Sequence, residues 1–194
     1  QLVDLLDHEN VSCLVMLHGP YFPKTAWEAI LRHLQNGGGL LLAGGAPFKV
    51  PVFKEGDRWI AEREQTAYHQ QLHIIDALAV DASRIAELAA SEPTSLMAGR
   101  ENLFEIMDTY GLTIRGTQQS EFPKQVGSAG PMNLHIFPLL KGLAADGRET
   151  AAPAVLIEHT KGDFTGGRWI LINQPLTDRF WVNGGAEALA EWTA

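Results

Sequence analysis

The sequence predicts an α/β domain: a parallel sheet with an inserted β-hairpin and a closing hairpin plus helix. Three observations predict it. The first is a pair of short, unbroken apolar runs, Ser12–Leu17 and Leu40–Gly44, which read as strands buried on both faces. The second is the segment between them, where Trp27, Ile30, Leu31 and Leu34 recur at helical spacing, so that strand, helix and strand form a right-handed βαβ unit. The third is a late pair of apolar runs, Ala152–Thr160 and Gly167–Pro175, joined by "KGDFTGG", a natural hairpin connection.

Taken in order, Gln1–His8 reads as the end of an amphipathic helix, with Leu2, Leu5 and Leu6 on one side. "HGPYFP" then breaks the first strand, and Thr25 is the expected N-cap of a helix that runs to about Asn36. Gly37–Gly39 supply the left-handed turn that ends it. "VPVFKEGDRWIAE" reads as a hairpin with Glu55–Asp57 at its turn. "TAYHQQLHI" predicts a short helix, "DASRIAELAA" a helix capped by Asp81 or Ser83, and "ENLFEIMDTYGL" a helix ending at Gly111. Ser120–Gly130 lacks periodicity and reads as a loop, and "GGAEALAEWTA" closes the chain as a helix. The whole is one domain over residues 1–194 with an irregular insertion at about 50–130.

Composition narrows the function. The 194 residues are 45% hydrophobic and 20% charged, enough for a sizeable core without staples. A net charge of −8 disfavours a phosphate-binding surface, so nucleic acid is not an expected partner. No apolar run reaches the roughly 18–20 residues that span a bilayer, and no membrane partner is expected. The single cysteine, Cys13, excludes an internal disulfide and a multi-cysteine metal site. Compartment stays open between cytoplasm and secretion as part of a larger protein.

"CLVMLHGPYFPKTAWEAILRHLQNGGGLLLAGG" resembles the strand–helix–strand core of the class I glutamine amidotransferase-like superfamily, and "GGRWILINQ" with the terminal helix is similar to its close. The nearest branches by this resemblance are the ThuA-like proteins and the amidotransferase-like modules of bacterial glycoside hydrolases. The resemblance covers about Ser12–Gly45 and, more loosely, Ala152–Ala194. It implies a flavodoxin-like sheet whose first strand precedes the first helix. Since this sequence opens at that helix, at Gln1, the expectation is a fragment or module of a longer chain.

The same resemblance implies a nucleophile elbow near Ala43–Gly45, where an amidotransferase carries a Cys activated by a strained turn and assisted by a His and a Glu. None of Ala43, Gly44 and Gly45 can be a nucleophile, and Cys13 falls on the preceding strand. No catalytic set is therefore expected, with His18, His159 and Glu158 the only candidates. Glu158 and His159 are adjacent on a strand and point to opposite faces. Ligands of open parallel sheets bind beyond the carboxyl ends of the strands, which makes His18, Tyr21, Phe22, Gly44, Gly45 and Phe48 the candidate ligand-binding residues. Aromatic faces beside polar groups suit a sugar ring. No metal and no cofactor are expected. His69 and His73 stand at i, i+4 but lack the Glu of a helical zinc motif, and a third ligand would have to come from His18 or His135.

These features together imply a non-catalytic, structural or interaction module of a larger bacterial, carbohydrate-active protein. Its partner would be the remainder of a parent polypeptide or another subunit, with exposed tryptophans among Trp27, Trp59, Trp169, Trp181 and Trp192 marking the contact. Two other readings stay open. A ThuA-like enzyme acting on a sugar or polyol would bring His18, His159 and Glu158 or Asp163 together near Gly44. A stand-alone carbohydrate-binding module would show an aromatic cleft at Tyr21, Phe22 and Phe48.

Overall fold

The computed structural model describes residues 1–91, 96–114 and 134–194; the Ser120–Gly130 loop expectation lies outside them. The chain opens with α1 (Leu2–His8), β1 (Cys13–Met16), β2 (Tyr21–Pro23), α2 (Trp27–Gln35) and β3 (Gly39–Ala43). β1 and β3 pair in parallel, Cys13 beside Gly39 and Met16 beside Leu42, with α2 as the crossover. Thr25 is not the helix cap: a 3-10 turn, Lys24–Ala26, precedes α2, whose N-cap Ala26 makes no side-chain bond. Gly37 (φ 82) ends the helix, its N–H reaching Leu34 O.

The hairpin forms as expected, β4 (Val50–Glu55) against β5 (Arg58–Ala61), and β2 adds to it in parallel to make a three-stranded sheet. α3 (Ala67–Gln71) is the expected short helix. Beyond it the helical expectations fail. "DASRIAELAA" folds as a 3-10 turn, Ala82–Arg84, and a strand, β7 (Glu87–Ala90). "ENLFEIMDTYGL" becomes a 3-10 turn, Glu101–Leu103, followed by β8 (Thr109–Ile114), which pairs with β6 (Ile74–Val80). In both cases strand pairing satisfies every other backbone group and overrides a weak local preference.

β9 (Leu134–Leu143), β10 (Glu149–His159) and β11 (Arg168–Ile172) complete the main sheet, whose order is β1-β3-β11-β10-β9-β7. β1, β3 and β11 run parallel, whereas β10, β9 and β7 alternate antiparallel. The sheet is therefore mixed: the expected parallel strands and late hairpin are present, and β9 and β7 extend the antiparallel half. β3 and β11 are buried on both faces, which is why "LLLA" and "ILI" are unbroken apolar runs. Leu40, Leu42, Trp169 and Leu171 face α2 through Ile30 and Leu34. Leu41, Ala43, Ile170 and Ile172 face the other way, toward Phe180 of α4 (Asp178–Val182) and Ala188 and Trp192 of α5 (Gly185–Thr193). No helix among the described residues is long and apolar enough to cross a membrane.

Candidate functional site

The turn after β3 is where an elbow would stand, and it is closed. Gly44 (φ 114) and Gly45 (φ 120) take conformations that L-residues rarely adopt. At Gly44 the His18–Gly19 backbone lies directly against the Cα, whereas Gly45 faces the Tyr110 ring. Gly19 N donates to Ala43 O at 2.6 Å, and a Cβ on Gly19 would sit 2.7 Å from Gly45 N. Gly44 N is shared between Ile172 O and Gln174 O, and Pro20 O accepts from both Lys49 N and Val50 N. Ala43, Ala46 and Phe48 are fully buried. Among the described residues, the carboxyl ends of β1 and β3 are thus packed against the Gly19–Pro20 backbone.

A buried polar layer supports this turn, and sequence reasoning missed it. His69 is fully buried, with Nδ1 on Pro47 O at 3.2 Å. Burial lowers its pKa, the Pro47 bond opposing. Thr109 Oγ1 donates to Asn173 O, Asn173 Nδ2 to Ala152 O and Gln174 Nε2 to Glu105 O. "NQ" after an apolar strand was the available signal: two amides at a strand's end need partners when buried.

The expected ligand set divides. Phe22 and Phe48 are core residues, 1% and 0% exposed, packed edge-on to each other and onto Trp27 and Tyr68. Tyr21 and His18 do reach the surface. With Val15, Val52 and Trp59 they line a groove of about 370 Å³ between the small sheet and β1, the edge strand of the main sheet among the described residues. Phe22 also borders this groove, whereas Phe48 does not. Trp59 is 62% exposed there; Trp27, Trp169 and Trp192 are buried, and Trp181 is exposed elsewhere, on α4.

The candidate catalytic residues do not converge. His18 lies at the carboxyl end of β1. His159 and Glu158 end the antiparallel β10, where Glu158 is level with Arg168 at the start of β11. They therefore occupy opposite ends of the sheet, and the expected meeting of His18, His159 and Glu158 or Asp163 near Gly44 does not occur. Antiparallel β10 reverses the end at which its last residues fall. Glu158 pairs with Arg168 at 3.7 Å, and Asp163 bonds His73 Nε2 at 3.1 Å. Cys13 begins β1, at the end away from the elbow, with its thiol pKa raised by burial.

His69 and His73 also part company. α3 ends at Gln71, and His73 takes φ 64, which turns its ring to Asp163 while His69 stays on Pro47 O. His135 is an exposed residue of β9, level with Glu158. Among the described residues no group of three or more His, Cys, Asp or Glu stands ready to hold a metal ion.

Fold and site together define a mixed α/β domain with a tightly packed turn after β3 and, among the described residues, a groove beside β1. No family model matches the chain, and no curated protein matches it. Among solved structures it is similar to a cold-adapted β-galactosidase from Rahnella sp. R3, with a TM-score of 0.46 and 12% identity. The likeness covers 95% of this chain and 22% of that one, so the chain spans about a fifth of that protein's length.

Proposed function

We propose that this chain is a non-catalytic interaction module that holds other polypeptide, the remainder of a larger protein or another subunit, against the β1 edge. The observation that carries the reading is the edge itself. Gly39 N donates to Ser12 O, so by the alternation of a parallel ladder Cys13 and Val15 turn their N–H and C=O groups to the free side. No described strand pairs there. Ser12–Pro23 holds no Asp, Glu, Lys or Arg, although exposed edges are normally blunted by charge. Val15, Tyr21 and Trp59 are 44%, 49% and 62% exposed beside it. An uncharged edge flanked by exposed aromatics is a contact surface.

The packed Gly44–Gly45 turn and the scattering of His18, His159 and Glu158 support the absence of chemistry. That the larger protein is carbohydrate-active rests on the sequence resemblance alone. A second reading draws on the same groove: exposed Tyr21 and Trp59 line it together with His18, a combination that suits a sugar.

Amide exchange at Cys13 and Val15, compared in the isolated chain and in the assembly isolated from its native source, tests the proposal. Protection that appears only in the assembly is the expected result. Fast exchange in both, or turnover of a glycoside or of glutamine by the isolated chain, overturns it. Quenching of Trp59 by oligosaccharide, lost in Trp59→Ser, would favour the second reading.

A further inference from the structure

The loop between β10 and β11 is exposed from Thr160 to Gly166 except at Phe164, which is 1% exposed. That one ring docks edge-on against two imidazoles, His73 at 5.2 Å and His159 at 5.4 Å, and against Trp169 at 5.0 Å. His159 tilts onto Trp169 at 4.0 Å, is 5% exposed, and leaves Nε2 buried without a partner among the described residues. His73 reaches the loop from the turn before β6 in a left-handed conformation (φ 64), bonded to Asp163. A strained turn, an unpartnered buried ring nitrogen and one docked hydrophobe thus stand together at the amino end of the parallel strands.

We propose that this loop is an acid-released latch: protonation of His159 expels Phe164 and frees Thr165–Gly167 while the sheet stays folded. A charged imidazole in this aromatic box has no acceptor for its Nε2 proton and cannot be hydrated until Phe164 leaves. The charges around it offer little compensation. His73 repels it, and Asp163 is turned to His73. Glu158 points to the opposite face of β10 and pairs with Arg168. Lys161 and His135 are exposed on the loop and on β9, and buried His33 of α2 is held on Gly39 O. Asp163 stays tied to His73, so the freed part is the Phe164 ring and the backbone after it. The closed loop is held by Gly166 N on His159 O, His159 N on Gly167 O, Gly167 N on Phe164 O, and Thr165 N and Oγ1 on Gly162 O, so the Gly166 and Gly167 amides report its release.

Burial, with His73 second, lowers the His159 pKa to about 4 from the ordinary 6.5. If the open loop restores the ordinary value, opening becomes about 20-fold easier between pH 7 and pH 5. Amide exchange of the full chain, expressed as protection factors, reads this directly. Protection of Gly166 and Gly167 is expected to fall by about that factor at pH 5 while Leu41 and Leu42 stay protected, and the fall is expected to vanish in His159→Phe. Equal protection at both pH values overturns the proposal, as does a fall shared by Leu41 and Leu42 or one that persists in His159→Phe. Should that variant fail to fold, NMR titration of the His159 ring in the native chain decides: a midpoint near the ordinary value with the loop closed overturns the latch.

Discussion

Gly19→Ala is the substitution that weighs the closed elbow. Three glycines with positive φ separate its components. At Gly147 (φ 79) an added Cβ meets nothing within 4 Å, so Gly147→Ala measures the conformational cost alone, about 1–2 kcal/mol. At Gly45 (φ 120) the Cβ lies in ordinary contact, 3.4 Å from Tyr110, and the cost stays at about 1–3 kcal/mol for the backbone. At Gly19 (φ 31) the Cβ meets the Gly44–Gly45 peptide itself, a backbone that cannot rotate away. The loop has to lift, which breaks the Gly19 N–Ala43 O bond and pulls Pro20 O from the Lys49 and Val50 amides. Each such buried group left unpaired costs about 1–3 kcal/mol, which brings the total to at least ~4 kcal/mol. Urea unfolding followed by tryptophan fluorescence measures all three. Should Gly19→Ala cost within ~1 kcal/mol of Gly147→Ala, the loop is not clamped to the turn and the elbow is open.

Further substitutions address the core, the surface and the buried imidazole. Phe48→Ala should cost about 3–5 kcal/mol by removing a ring fully buried against Phe22 and Trp27; denaturant midpoints check it. Trp59→Ser should move Tm by less than ~2 °C, since that ring is mostly exposed, while abolishing binding through the groove in a pull-down with the native assembly. For His69 the sign follows from burial. The folded pKa lies below the unfolded 6.5, so the unfolded chain binds the proton first and stability is lost as pH falls below 6.5. His69→Leu should flatten that part of the stability–pH curve, whatever its effect at neutral pH. An unchanged slope would mean that the ring is hydrated.

How far the sequence sufficed depends on where each residue finds its partners. The βαβ start was legible because continuous apolar runs and a 3.6-residue period report burial on both faces and on one, with no reference to distant chain. The Glu55–Asp57 turn and the hairpin of β10 and β11 were legible for the same local reason. β7 and β8 were not: "ELAA" and "TYGLTI" become strands because β9 and β6 offer them hydrogen bonds, and those partners lie tens of residues away. The consequential gap was the partner of β11. The hairpin makes β10 antiparallel to β11, but only the parallel pairing of β11 with β3 fixes which end of the sheet His159 reaches, and it is the end away from His18.

The sequence by itself thus determined which runs would be buried, where the chain would turn, and that no nucleophile stands at Ala43–Gly45. Only the tertiary structure decided that Gly19 packs against the turn, that Phe22 and Phe48 are core while Tyr21 and Trp59 are surface, and that no described strand pairs with the outer edge of β1. The physical reason is range. Periodicity and turn chemistry act over a few residues, whereas close backbone approach, burial of a ring and the pairing of an edge depend on what distant segments place beside it.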